Sequence, residues 1–239
     1  MRPEWAVKRG KLDSLPAPSD SVPGGLVRCG EDLLCSQQGD LFRLDPATGK
    51  LRGSHKLPFT TQDLASDGKR LWAITTRWPG KNGLMELDPT NGKVLRTLEQ
   101  PAPATKDGKK PRRYAARGIA WRADRLYVME IYGQLHEIDP ESGKILRTVP
   151  TGRRWVFSLA DDGDNLFAAT REGLDFFDPT TLNYSKSMAI PRRLRSAGWS
   201  DGALLLMEQP IFGFGKKHET IQVFPRPGKT RIHRLRRAP

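Results

Sequence analysis

Short apolar runs punctuate most of the chain, each bounded by a cluster of Asp, Gly, Pro, Asn or Ser. Leu71-Trp72-Ala73-Ile74 follows Ser66-Asp67-Gly68-Lys69, Leu166-Phe167-Ala168-Ala169 follows Asp161-Asp162-Gly163-Asp164, and Leu204-Leu205-Leu206 follows Ser200-Asp201-Gly202. Runs this short, with turn chemistry at both ends, predict strands joined by hairpins and leave no room for helices.

A second pattern is laid over the first. A unit of about 40 residues recurs, with an alternating strand that ends in Asp-Pro as its core. Leu41-Phe42-Arg43-Leu44-Asp45-Pro46 leads into Gly49-Lys50, Leu84-Met85-Glu86-Leu87-Asp88-Pro89 into Gly92-Lys93, and Leu135-His136-Glu137-Ile138-Asp139-Pro140 into Gly143-Lys144. A fourth copy, Leu174 to Pro179, loses the Gly-Lys, and a decayed fifth keeps Ile221-Gln222-Val223-Phe224 and Pro227-Gly228-Lys229. In the Asp-Pro-x-x-Gly-Lys element Asp accepts hydrogen bonds from the turn backbone, Pro presets φ, and Gly supplies a positive φ before the next strand.

Two hairpins per repeat make four antiparallel strands, and four-stranded units repeated radially are the blades of a propeller. The expected fold is therefore all-β, a single five-bladed β-propeller domain over residues 1–239. The blades fall near 21–58, 59–101, 115–152, 153–191 and 192–239, with 102–114 as an inserted loop. Either Trp5-Ala6-Val7-Lys8 or the run Thr230 to Leu235 is expected to complete the last blade.

Charge adds a direction to this ring. The 239 residues carry 40 Lys+Arg against 27 Asp+Glu, a formal net charge of +13. In a four-stranded blade the loops between strands two and three, and those between blades, share one face. That face collects Arg77, Arg117, Arg153, Arg154, Arg171, Arg193, Arg195, Lys216 and Lys217, whereas the opposite hairpins collect Asp45, Asp67, Asp88, Asp139, Asp162 and Asp178. A one-sided positive field concentrates anions. Paired arginines suit bidentate contact with carboxylate or phosphate, and the interleaved Trp78, Tyr132 and Trp155 offer stacking surfaces. Arg117, Arg153, Arg154, Arg193 and Arg195 are expected to converge on the tunnel mouth beside Trp155. The loop Ile211 to His218, with Lys216, Lys217 and His218, is read as a lid.

Little else carries chemistry. The two cysteines, Cys29 and Cys35, flank a predicted hairpin and are read as free thiols, with a cross-strand bridge as the alternative. The four histidines are scattered, and no metal-ligand spacing, phosphate loop or nucleophile elbow is present. No cofactor, metal or catalytic group is expected. No apolar run is long enough to span a bilayer, and the first residues lack a secretory h-region. A cytoplasmic monomer or subunit of a larger assembly is the expectation, with export after signal removal as the alternative.

From Ser21 to about Met207 the chain resembles the plant-type glutaminyl cyclase (glutamine cyclotransferase) family. The resemblance rests on the Asp-Pro-x-Thr-Gly-Lys turns, on Leu-Tyr-Val second strands, and on the stretch from Arg117-Gly118-Ile119-Ala120-Trp121 through Leu126-Tyr127-Val128 to Asp139-Pro140. It implies a five-bladed propeller with glutamates on the innermost strands at the tunnel mouth. The matching positions read Gln62-Asp63-Leu64, Arg117-Gly118-Ile119, Trp155-Val156-Phe157-Ser158-Leu159 and Leu194-Arg195-Ser196-Ala197-Gly198, without a glutamate. The function expected is a non-catalytic module that docks an anionic partner on the basic face. That partner is an acidic protein surface, a nucleic acid or a small carboxylate or phosphate. The alternative is a cyclase-like or lyase-like propeller enzyme with relocated groups around Asp63, Glu130, Tyr132 and His218.

Overall fold

The computed structural model describes residues 13–16, 18, 23–78, 81–98, 116–189, 194–200, 203–208, 213–214, 221–222 and 231–236. Strand β1 (Asp13–Pro16) precedes four sequential meanders. These are β2 (Pro23–Cys29), β3 (Asp32–Gln37), β4 (Asp40–Leu44) and β5 (Leu51–Lys56); β6 (Thr61–Ser66), β7 (Leu71–Trp78), β8 (Lys81–Leu87) and β9 (Val94–Leu98); β10 (Ala116–Arg122), β11 (Arg125–Glu130), β12 (Gln134–Ile138) and β13 (Ile145–Pro150); and β14 (Val156–Asp161), β15 (Leu166–Thr170), β16 (Gly173–Phe177) and β17 (Tyr184–Ala189). Then follow β18 (Leu194–Ser200), β19 (Ala203–Glu208), the short β20 (Gly213–Phe214) and β21 (Ile221–Gln222), and β22 (Arg231–Arg236). The chain is an all-β propeller of four-stranded antiparallel blades, and no helix occurs among the described residues.

Within a blade the middle strands are buried on both faces and the outermost strand is wet. β15 and β16 are buried throughout, whereas β17 is exposed at five of six positions. The core accordingly lies between blades. Trp72, Ile74 and Leu84 meet Ile119 and Val128; Tyr127, Met129 and Leu135 meet Leu159 and Phe177; Leu205 and Met207 meet Leu26 and Leu33. Each interface is a separate apolar layer stabilised by area removed from water.

The turns behave as their chemistry dictates. Asp45 Oδ1 accepts hydrogen bonds from the backbone N–H groups of Ala47 and Thr48 and from the Thr48 hydroxyl, and these donors hold its pKa down at about 2. Asp88, Asp139 and Asp178 repeat the arrangement. Gly49, Gly92 and Gly143 all take φ near the left-handed value, and in the fourth copy Leu182 takes it too, at 61°. Leu182 is fully buried. Replacing it with glycine would relieve backbone strain of about 1–3 kcal/mol but would delete a leucine side chain whose loss costs about 2–5 kcal/mol. Leu182→Gly is therefore expected to lower the urea midpoint, because packing outweighs strain.

The last sheet has the order β18-β19-β22-β1 and corrects two expectations. Its outer strand is Asp13–Pro16, while Trp5 to Lys8 lies outside the described residues. Its third strand is Arg231–Arg236, not the decayed repeat at Ile221, which pairs instead with Gly213–Phe214. The reason is ladder length: Ile221–Gln222 forms two cross-strand pairs, whereas β22 forms pairs from Ala203↔Arg236 to Met207↔Ile232 on one side and from Asp13↔Arg234 to Pro16↔Arg231 on the other. The expected insertion 102–114 also falls outside the described residues. Cys29 and Cys35 are free and buried; they pair with Asp32 and Leu26 at opposite ends of the β2–β3 ladder, out of bridging register.

Innermost strands pack in succession, β2 on β6, β6 on β10, β10 on β14, β14 on β18, and β18 on β2. Glycines permit the closest of these approaches: a Cβ on Gly198 would lie 2.2 Å from the Leu26 carbonyl oxygen, and one on Gly25 2.2 Å from the Leu64 nitrogen. Gly198→Ala must prise β18 from β2, and a loss of about 1–3 kcal/mol is expected in chemical denaturation.

Candidate functional site

Every innermost strand carries a β-bulge at its entry. The register slips between Pro23 and Leu26, Thr61 and Asp63, Ala116 and Gly118, Val156 and Ser158, and Leu194 and Ser196. The extra residues are Gly24 with Gly25, Gln62, Arg117, Phe157 and Arg195. A bulge bends its strand and re-aims one side chain, which is why bulges gather beside binding sites. Here they gather unlike side chains at one end of the central channel.

Three of those side chains meet. Arg117 Nη1 and Arg195 Nη2, the latter at 3.4 Å, both donate to Gln62 Oε1. The Arg195 guanidinium also lies 5.0 Å from the Phe157 ring centroid. Neither arginine forms an ion pair with a carboxylate among the described residues, and the Nε of each is buried without a partner. Burial pushes the Arg195 pKa down to about 10, with the neighbouring Arg117 charge adding to the effect and Asp63 opposing it; burial lowers Arg117 as well. Two half-buried like charges sharing a neutral acceptor are a destabilising arrangement. Arg195→Met, which keeps the stem on Phe157, is expected to raise stability by about 0.5–2 kcal/mol, read as a higher melting temperature.

Below the arginines the channel is closed by Asp63. Its Oδ2 accepts the backbone N–H groups of Ile119 and Leu159, each at 2.9 Å, and its Oδ1 lies 3.0 Å from Ser158 Oγ. Ser158 Oγ in turn bonds the carbonyl and N–H of Ala197, both at 3.1 Å. One residue of β6 thus links β10 and β14 and, through Ser158, β18. Burial pushes the Asp63 carboxyl well above the usual range, against the pull of its hydrogen bonds. On the far side of this plug a cavity of about 160 Å³ opens, lined by Leu26, Ala65, Trp121, Asp161 and Trp199.

The rim is built from one connector. Trp155 has φ of 61° and is 58% exposed, its N–H donating to the Ile131 carbonyl. Thr151 bonds Gly133 through both its N–H and its hydroxyl, stitching this connector to the Ile131–Gly133 turn that bears the exposed Tyr132. Arg153 fixes the other side. Its Nε and Nη2 reach Asp175 Oδ2 and Oδ1 at 2.8 and 3.0 Å, and its guanidinium lies 4.8 Å from the Tyr184 ring centroid.

Of the residues expected to converge, the structure brings Arg117 and Arg195 together and places Trp155 at the entry to the same innermost strand as Phe157. It corrects Arg153, whose guanidinium turns outward to the third strand of its blade because a buried carboxylate is there to receive it. Arg154 is exposed. Arg77 and Trp78 end β7, with Trp78 in register with Lys81. Arg193, Lys216, Lys217 and His218 lie outside the described residues. Glu130 is buried with His136, Oε1 to Nε2 at 3.1 Å, and the other ring nitrogen meets Thr148. No group of His, Cys, Asp or Glu able to hold a metal occurs among the described residues.

Gln62 and Phe157 were not singled out by sequence, although a signal exists. Each bulge residue stands six positions before the turn of the following hairpin, as Gln62 does before Gly68 and Phe157 before Gly163.

No protein-family model matches this chain, and no curated protein matches it. Among solved structures, the glutaminyl cyclase of Myxococcus xanthus superimposes with a TM-score of 0.67 over 94% of each chain at 16% identity. The Pan2 WD40 domain of Neurospora crassa follows with a TM-score of 0.51, covering 91% of this chain and 66% of that one at 13% identity. The chain is thus a β-propeller with the architecture seen in a glutaminyl cyclase, and at these identities the likeness is one of fold.

Proposed function

We propose that the ring is a five-bladed propeller and that it serves as a binding module, receiving an anionic group of its partner at the bulged end of the central channel. The β18 sheet, packed on both β14 and β2, and the bulge repeated on each innermost strand support the blade count. The observation that carries the binding role is the pair Arg117 and Arg195, half-buried around Gln62 without a carboxylate partner among the described residues. A cation is kept in such a place at a cost to stability, and an incoming carboxylate or phosphate would remove that cost. Fluorescence anisotropy with a labelled poly-glutamate peptide tests this reading. Binding should weaken with salt and drop at least tenfold in the Arg117→Gln/Arg195→Gln double variant; undiminished binding by that variant would exclude the site.

A second reading, cyclisation of N-terminal glutamine, is favoured by the fold shared with the Myxococcus enzyme. Gln62, Arg117, Phe157 and Arg195 hold the bulge positions, and none is a carboxylate able to shuttle a proton from an amine. The carboxylates closest to hand in the sequence, Asp63 and Glu130, are engaged with buried partners. Ammonia release from a glutaminyl peptide is therefore expected to match the buffer control. Turnover abolished by Glu130→Gln would establish the enzymatic reading instead.

A further inference from the structure

Five buried side-chain polar atoms lack a hydrogen-bond partner among the described residues: Thr61 Oγ1, Trp72 Nε1, Arg117 Nε, Arg195 Nε and Ser196 Oγ. All but Trp72 Nε1 belong to the first three residues of the innermost strands β6, β10 and β18. Buried polar groups are almost always satisfied, so four of five orphans gathered at one end of the innermost strands mark where a polar group from outside belongs. The charge there is positive, and the geometry is fixed in advance by Gln62 between the guanidiniums and by Phe157 against one of them.

The cationic spot is also small. Arg153 is engaged by Asp175, and Arg154 and Arg171 are exposed, Arg171 at 5.9 Å from the Trp155 ring centroid, so Arg117 and Arg195 are the half-buried cations gathered at the bulges among the described residues. Two residues before Phe157 stands Trp155, an indole held 58% exposed on a left-handed backbone. A bulky residue in that region is strained, and such strain concentrates at ligand clamps. Tyr132, 54% exposed, stands on the turn to which the Trp155 N–H is bonded.

Building on the anion-binding reading above, we infer that the channel mouth takes a small molecule with one oxyanion head on a flat aromatic body. The head sits against Arg117 and Arg195, taking guanidinium N–H groups that Gln62 Oε1 does not use, and the body rests against Trp155 and Tyr132. The head chemistry is that of a carboxylate or a phosphate monoester, both of which accept two guanidinium forks.

Isothermal titration calorimetry on the full chain tests this with benzoate, phenyl phosphate and neutral benzamide, and with acetate and inorganic phosphate as bodiless heads. Benzoate or phenyl phosphate should bind once per chain at millimolar concentration or below, the tighter of the two assigning the head, and benzamide should not bind. Arg195→Met should weaken the aromatic oxyanion at least tenfold while raising the melting temperature of the free protein, which separates loss of the site from loss of the fold. Trp155→Asn, which tolerates the left-handed backbone, should weaken benzoate or phenyl phosphate several-fold and leave acetate and phosphate unchanged. Equal binding of benzamide and benzoate, or affinity undiminished in Arg195→Met, would overturn the inference. If neither aromatic oxyanion binds while poly-glutamate still does, the small-ligand inference falls and the anion-binding module stands. If poly-glutamate also fails, both fall.

Discussion

Asp63→Ala is expected to destabilise the protein by about 4 kcal/mol, with a fall in melting temperature of about 10 °C for a chain of this size. The substitution strands the Ile119 and Leu159 N–H groups, each buried, and removes the carboxyl partner of Ser158 Oγ, whose own bonds to Ala197 tie in β18. Each stranded donor costs about 1–3 kcal/mol, and the void adds to it. Asp63→Asn should cost far less. With Oδ2 accepting both N–H groups, a protonated Oδ1 can donate to Ser158 Oγ and Ser158 can donate to the Ala197 carbonyl, so each hydroxyl has one acceptor. An amide reproduces that pattern. The same carboxyl sets a pH dependence. Its folded pKa lies above the unfolded value, so the folded state keeps a proton that the unfolded chain releases. This contribution is complete below about pH 4, the unfolded value for Asp, and is lost as pH rises toward the folded value. The turn carboxylates act oppositely. Asp45, held at about 2, contributes stability that is present above about pH 4 and lost as pH falls through 2. Urea midpoints measured across pH for wild type and Asp63→Asn isolate the first slope; identical slopes would show that Asp63 is ionised in the fold.

Arg153→Ala should cost about 3 kcal/mol, and more than Asp175→Ala, because the two partners differ in burial. The Asp175 side chain is 3% exposed and that of Arg153 32%. Losing the arginine leaves a buried carboxylate with the Ser187 hydroxyl as its remaining donor among the described residues, whereas losing the carboxylate leaves a guanidinium that water can reach. The double variant Arg153→Ala/Asp175→Ala should recover part of the loss, since no buried charge then remains. Equal effects from the two single changes would mean that the pair contributes only through packing on Tyr184.

The sequence made the repeat legible because the Asp-Pro-x-x-Gly-Lys turn is a local device: Asp45, Asp88 and Asp139 each bond the backbone within three residues. It hid what depends on distant partners. The last sheet could not be read from Ile221 to Phe224, because its pairing is decided by residues at the far end of the chain. The fourth turn lost its glycine yet kept its shape, since burial of Leu182 offsets the strain. In the site, Arg117 and Arg195 were found by their place at the innermost strands. The direction of Arg153 is not local, because Asp175, two strands away, is what orients it. Gln62 and Phe157 carry no charge to mark them in the sequence, although both stand at bulges and both meet Arg195.

The pairing of β1 with β22 has a consequence for biogenesis. On the ribosome Asp13–Pro16 emerges long before its partner and must wait, edge exposed, until Arg231–Arg236 is made, while the blades between them can form as they appear. β18, which carries Arg195, belongs to that last-assembled sheet. A chain cut before β22 would therefore keep the four sequential meanders intact but leave both β1 and β19 with an unpaired edge, so that the sheet carrying Arg195 is the one that proteolysis of the later strands would expose.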